Sequence, residues 1–87
     1  MQIQMEPHTL ERALERGANE EEIIETLTTG RPIVAKSGRF GKVKAFQFND
    51  VWKGKHYDQK EITVYYLVEE EIIITVTVYV YYGKFDL

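Results

Sequence analysis

Cysteine is absent from this chain. That excludes disulfide bonds, a thiol nucleophile and any thiolate metal site. Histidine is scarce as well. His8 and His56 are the two present, too few for a cage of imidazole ligands, and the reading calls for no metal and no cofactor. The one serine, Ser37, stands in no nucleophile-elbow context. Gly38-Arg39-Phe40-Gly41 lacks the Lys-Ser/Thr pair and the following helix that a phosphate-cradling loop requires. The longest uncharged run, Ile72–Gly83, is too short to cross a bilayer and is interrupted by two threonines. Met1-Gln-Ile-Gln-Met-Glu does not resemble a signal peptide. These absences lead to the expectation of a reducing, cytoplasmic setting with no membrane partner.

What remains is an ordinary globular composition. The 87 residues are 44% hydrophobic and 29% charged, which excludes a disordered or low-complexity chain and predicts one domain over 1–87. The net charge of −3 conceals a block pattern. Residues 1–30 carry two basic and seven acidic side chains, for −5. Residues 31–60 carry eight basic and two acidic, for +6; residues 61–87 carry one basic and five acidic, for −4. A cationic middle gathered on one face could hold phosphates despite the acidic remainder. The same lysines could equally be solvated strand-edge residues that discourage sheet-to-sheet sticking.

Hydrophobic periodicity divides the chain. Leu10, Ala13 and Leu14 recur at helical spacing before Gly17, a natural helix stop. Asn19 with Glu22 forms a capping pair for a second helix, whose Ile23, Ile24 and Leu27 make its apolar stripe before Gly30. Glu20, Glu21 and Glu22 fall in its first turn, where the helix dipole favours negative charge. The short link predicts an antiparallel helical hairpin over about 8–29. After Gly30 the period becomes two, over about 32–85. Pro32–Ser37 is a weak strand, Gly38–Gly41 a turn, Lys42–Asn49 an alternating strand and Asp50–Lys55 a loop. His56–Val68 and Glu71–Tyr82 complete the set, joined at Glu69-Glu70. The expected fold is α+β: an N-terminal helical hairpin packed on one antiparallel β-sheet, a meander. Ile72, Ile74, Val76, Val78, Val80 and Tyr82 are expected on one apolar face. An uncharged last strand left as an open edge would be an aggregation site. The reading therefore expects its free side to be covered by a strand from Gln2–Met5 or by a second copy of the chain.

The stretch Pro7-His8-Thr9-Leu10-Glu11-Arg12-Ala13-Leu14-Glu15-Arg16-Gly17, with Asn19-Glu20-Glu21-Glu22-Ile23-Ile24, resembles the opening of the bacterial domain-of-unknown-function family number 4258. Gly54-Lys55-His56-Tyr57-Asp58-Gln59-Lys60 and Ile74-Thr75-Val76-Thr77-Val78-Tyr79 resemble its closing strands. The resemblance spans nearly the whole chain through short, degenerate motifs. It implies a topology similar to RelE/ParE-type and MqsR-type toxins, most of which cleave messenger RNA. Fold analogy alone supplies no function.

Metal-independent RNA cleavage needs a base for the ribose 2′-hydroxyl, an acid for the leaving oxygen and cations near the phosphate. His8 and Arg12 lie four apart on one helix face, with Arg16 one turn further. These three are the candidate catalytic residues. Lys42, Lys44, Lys55, His56 and Lys60 are the candidate RNA-binding set. Each has a plainer reading: His8 as a packing or capping residue, Arg12 and Arg16 as partners of nearby glutamates or strand carbonyls, His56 as a turn residue. The tyrosines, with Phe46, Phe48 and Trp52, could stack unpaired bases, but such residues more commonly form half-buried sheet surface. Consecutive carboxylates at Glu20–Glu22 and Glu69–Glu71 point in different directions and cannot share one cation.

Two function classes follow. One is a toxin-like endoribonuclease acting on RNA through His8, Arg12 and Arg16. The other is a non-catalytic module that binds a cognate protein or associates with itself through its aromatic sheet, with a homodimer through the last strand as one form. The sequence pI of about 5.3 favours the second, because toxins of this type are usually basic.

Overall fold

The computed structural model describes residues Gln2–Phe85. Five strands and two helices follow in the order β1 (Gln2–Gln4), α1 (Pro7–Arg16), α2 (Glu20–Thr29), β2 (Arg31–Ile33), β3 (Phe40–Trp52), β4 (Lys55–Glu69) and β5 (Ile72–Gly83). The fold is α+β. The sheet order is β1-β5-β4-β3-β2, and both helices cover one face.

The helices stop and start where local chemistry dictates. Pro7 opens α1, and Gly17 closes it at φ 98°, a left-handed conformation that glycine adopts without the Cβ clash. Asn19 accepts from the Glu22 amide at 2.8 Å, and the Glu22 carboxylate accepts from the Asn19 amide at 3.1 Å, so the expected capping box is formed. The buried positions depart from the expected stripes. Thr9 and Ala13 face inward on α1, while Leu14 is exposed; Ile23, Thr26 and Leu27 face inward on α2, while Ile24 is exposed. Threonine is admissible there because each hydroxyl is satisfied: Thr9 Oγ1 donates to the Val76 carbonyl at 3.0 Å, and Thr26 Oγ1 to the Glu22 carbonyl at 2.8 Å.

The sheet corrects the meander expectation in two ways. It is mixed, because β1 precedes the helices and pairs in parallel with β5, Gln2–Gln4 beside Ile72–Ile74. The strand expected from Gln2–Met5 is thus present, but it covers only the first turn-proximal residues of β5. Second, the register slips between Tyr65 and Tyr66: Tyr65 faces Thr77 and Tyr66 faces Thr75, leaving Val76 unmatched. That one-residue bulge inverts the strand's phase. Before it, Ile73 and Thr75 face the helices; after it, Val78, Val80 and Tyr82 do. Ile72 and Ile74 therefore lie on the opposite face from Val78, contrary to the continuous apolar face expected.

β3 and β4 are longer than expected and meet at a two-residue turn, Lys53-Gly54, with φ 50° and 84°. What read as a loop over Asp50–Lys55 is strand as far as Trp52. β4 and β5 meet at Glu70-Glu71, one residue beyond the expected pair, with φ 49° and 66°. The core is one cluster between helices and sheet, built on Ala13, Ala18, Ile23, Leu27, Ile62, Val64, Tyr66 and Val78. Among the described residues, no helix lies over the sheet's other face.

Candidate functional site

The cationic block does not assemble. Lys44 lies 3.4 Å from the Glu25 carboxylate and donates to Thr29 Oγ1 at 2.8 Å, tying β3 to α2. Lys60 is buried: its Nζ lies 2.9 Å from Glu22 Oε2 and donates to the Gly17 carbonyl at 2.7 Å. Lys42 is half-buried on the helix-facing side of β3. Lys55 and His56 are exposed at the tip of the β3–β4 hairpin, with Lys55 Nζ 5.4 Å from the Tyr57 ring centre and His56 Nδ1 3.9 Å from Asp58. Of the five residues expected to bind RNA, Lys60 is the buried one. Burying an ammonium is tolerable only when it is paired and hydrogen-bonded, and this one is engaged with α1 and α2.

His8, Arg12 and Arg16 do come together. They line a small groove of about 130 Å³ between α1 and the outer backbone of β5 at Val76–Val78. His8 and Arg12 are exposed, and Arg12 Nε lies 3.8 Å from Glu15 Oε2. Arg16 is committed to structure: its Nη1 donates to the Val78 carbonyl at 2.6 Å, and its guanidinium lies 5.2 Å from the Tyr79 ring centre. None of the candidate lysines lines this groove. β4 lies between β5 and the Lys42–Lys44 stretch of β3. His8 and Arg12 are the groove's exposed polar groups for an anion, and no carboxylate is among the residues that line it.

A further group of residues lies on the uncovered sheet face. Tyr65, Tyr79 and Tyr81 form a chain of rings there, Tyr65 edge-on to Tyr79 at 6.2 Å and Tyr79 stacked with Tyr81 at 6.4 Å. Tyr79 is 40% and Tyr81 53% exposed. The segment joining β2 to β3 overhangs them, so that Lys36 and Arg39 border a cleft of about 500 Å³ floored by Tyr65, Thr77 and Tyr79. Arg16 reaches the same rings from the β5 edge. The signal was present as alternation at Thr77-Tyr79-Tyr81. Its meaning depended on the Val76 bulge, which decides that these tyrosines face away from the helices.

A second aromatic group is structural. Trp52 stacks on Tyr82 at 5.0 Å, with Phe48 and Tyr57 against the same ring. Tyr82 donates its hydroxyl to the Arg16 carbonyl at 2.8 Å. Burial, and then the Glu22 charge, push the Tyr82 phenol up to about 12. Together with Lys60 on the Gly17 carbonyl, this caps the C-terminal end of α1.

Among the described residues, no cluster of His, Asp or Glu could hold a metal ion, and no helix is long and apolar enough to cross a membrane. No family model, no curated protein and no solved structure matches this chain.

Proposed function

We propose that this chain is a protein-interaction module whose working surface is the uncovered face of the sheet. The observation that carries the reading is the Tyr65–Tyr79–Tyr81 series, with Tyr79 and Tyr81 exposed and Arg16, Lys36 and Arg39 beside it. Tyrosine and arginine are the side chains that concentrate binding energy at protein interfaces, because each buries a large area and retains a polar end. Self-pairing through the whole of β5 finds less support. β1 occupies Ile72–Ile74, and Thr9 and Arg16 occupy the Val76 and Val78 carbonyls.

The test places a photo-activatable residue at Tyr79 and, in a separate variant, at Ile24 on the outer side of α2. Adducts are identified from the native cell and the partner is then purified. The reading expects a Tyr79-specific adduct and binding of the purified partner that Tyr79→Ala weakens while the variant remains fully folded at the assay temperature. Equal labelling at both positions would refute it.

Endoribonuclease activity is the second reading, favoured by the shared groove of His8, Arg12 and Arg16. It requires that purified protein cleave single-stranded RNA and that His8→Ala or Arg12→Ala reduce cleavage. Activity indifferent to both substitutions would remove this site from consideration.

A further inference from the structure

Charge on the uncovered face is arranged in bands. At one end Ile72 follows Glu69, Glu70 and Glu71; at the other, Glu61 sits across from Tyr81 with Arg31 and Lys84 beside it. Between them, Lys36 and Arg39 border the cleft over Tyr65 and Tyr79. Neither cation enters an ion pair among the described residues. Beside them Val34 is 95% exposed, an isopropyl group held in water at the mouth of an aromatic cleft.

We infer that the cleft receives a short segment of a partner protein in which an apolar side chain is flanked by carboxylates. The inference rests on the sheet face being the working surface and adds the chemistry of what binds there. The apolar side chain enters between Val34 and the Tyr65–Tyr79 floor, removing all three from water. The carboxylates meet Lys36 and Arg39, whose unpaired charge is complementary. A second copy of this chain meeting face to face would bring the same cations against each other, a repulsive juxtaposition. A nucleic-acid strand fits less well. Its evenly spaced phosphates would meet Glu69–Glu71 at one end of the face, and its backbone gains nothing from Val34. A volume of about 500 Å³ suits a few side chains.

The experiment selects a random-peptide display library against the intact immobilised protein. The variants Lys36→Glu/Arg39→Glu and Tyr79→Ala are screened in parallel, each first shown to be fully folded at the assay temperature. Enriched sequences are expected to pair an aliphatic or aromatic residue with neighbouring Asp or Glu. Their affinity should fall by roughly tenfold or more in the charge-reversal variant, the loss typical of removing a central interface contact. Peptides that enrich without acidic residues and lose affinity in Tyr79→Ala alone would overturn this inference and leave the sheet-face reading standing. Enriched peptides indifferent to every variant, or no enrichment, would overturn both. Oligouridine that binds with a steep salt dependence and displaces the peptides would overturn the protein-segment assignment in favour of RNA.

Discussion

Arg16 reaches past the helix it belongs to and donates from Nη1 to the main-chain carbonyl of Val78 at 2.6 Å. β1 ends beside Ile74, so from Val76 onward the outer side of β5 has no neighbouring strand. Thr9 takes the Val76 carbonyl and Arg16 the Val78 carbonyl. An uncharged strand is thus kept from templating another chain by two side chains of α1, one of them charged. Inserting a charge at an edge is a known defence against edge-to-edge pairing.

Arg16→Ala should therefore do two things. It should cost about 1–3 kcal/mol, the range for a charge-assisted hydrogen bond together with a cation–π contact. It should also make the chain associate with rising concentration, which sedimentation velocity reads directly. A variant that stays monomeric at concentrations where its folded fraction equals that of the wild type would show that Arg16 does not guard this edge.

The β4–β5 turn carries a local conflict that substitution should relieve. Glu70 and Glu71 both adopt positive φ, at 49° and 66°. That is the pattern of the hairpin turn for which Asn-Gly is the favoured pair. Each glutamate pays a Cβ penalty, and three carboxylates adjoin one another at Glu69–Glu71. Glu70→Asn with Glu71→Gly should raise stability by about 1 kcal/mol, a typical gain for matching residue to turn. Urea denaturation measures it; an unchanged or lowered midpoint would contradict the turn geometry.

How much of this was legible beforehand varies with the range of the interaction. Both helices were, because Gly17, the Asn19–Glu22 box and the apolar spacing act within a few residues. The parity of β4 was legible too, since Ile62, Val64 and Tyr66 do share the helix-facing side. β5 was not. Alternation cannot reveal a bulge, and the single unmatched Val76 reverses which residues face the core on either side of it. A strand from Gln2–Met5 beside β5 was one of the two expected covers; its parallel sense and its end beside Ile74 were not legible, because three residues, Gln-Ile-Gln, set no period and their partner lies some seventy positions away. The His8–Arg12–Arg16 row was legible as a helix face. The dispersal of the lysines was not, because the partners of Lys44 and Lys60 are glutamates of α2 brought near only by packing.

Tyr82 gives a pH-dependent prediction with a definite sign. Its phenol is pushed up to about 12 by burial and by Glu22, against about 10 in an unfolded chain. The folded state holds this proton more tightly. Its contribution to stability is fully present below pH 10 and is lost as pH rises toward 12. Tyr82→Phe should lower stability at neutral pH by about 1 kcal/mol, through loss of the hydrogen bond to the Arg16 carbonyl. It should also abolish the part of the alkaline decline that belongs to this residue. Paired denaturation curves of wild type and variant between pH 9 and pH 12 isolate it, because the two proteins differ only at this hydroxyl. Curves that remain parallel throughout that range would mean that the hydroxyl is not held as described.

The Lys60–Glu22 pair distinguishes a buried charge that stabilises from one that is merely accommodated. Lys60 Nζ satisfies two acceptors, the Glu22 carboxylate and the Gly17 carbonyl, and its stem passes beside Phe48, whose ring centre lies 5.4 Å from Nζ. Removing only the carboxylate charge by Glu22→Gln retains an oxygen for the Asn19 amide, so the capping box survives while the ammonium loses its counter-charge. Breaking one side of a buried pair costs about 3–5 kcal/mol when both partners are fully enclosed. Glu22 is only half-buried, and solvent screening should reduce the cost to about 1–2 kcal/mol. Lys60→Met, which keeps the stem and discards the charge, should cost less than Lys60→Ala, which leaves a cavity beside Phe48 and Tyr82. The order of the three melting temperatures is the measurement. If Lys60→Met is as damaging as Lys60→Ala, the ammonium contact with the α1 terminus, rather than the packing of its stem, holds the hairpin to the sheet.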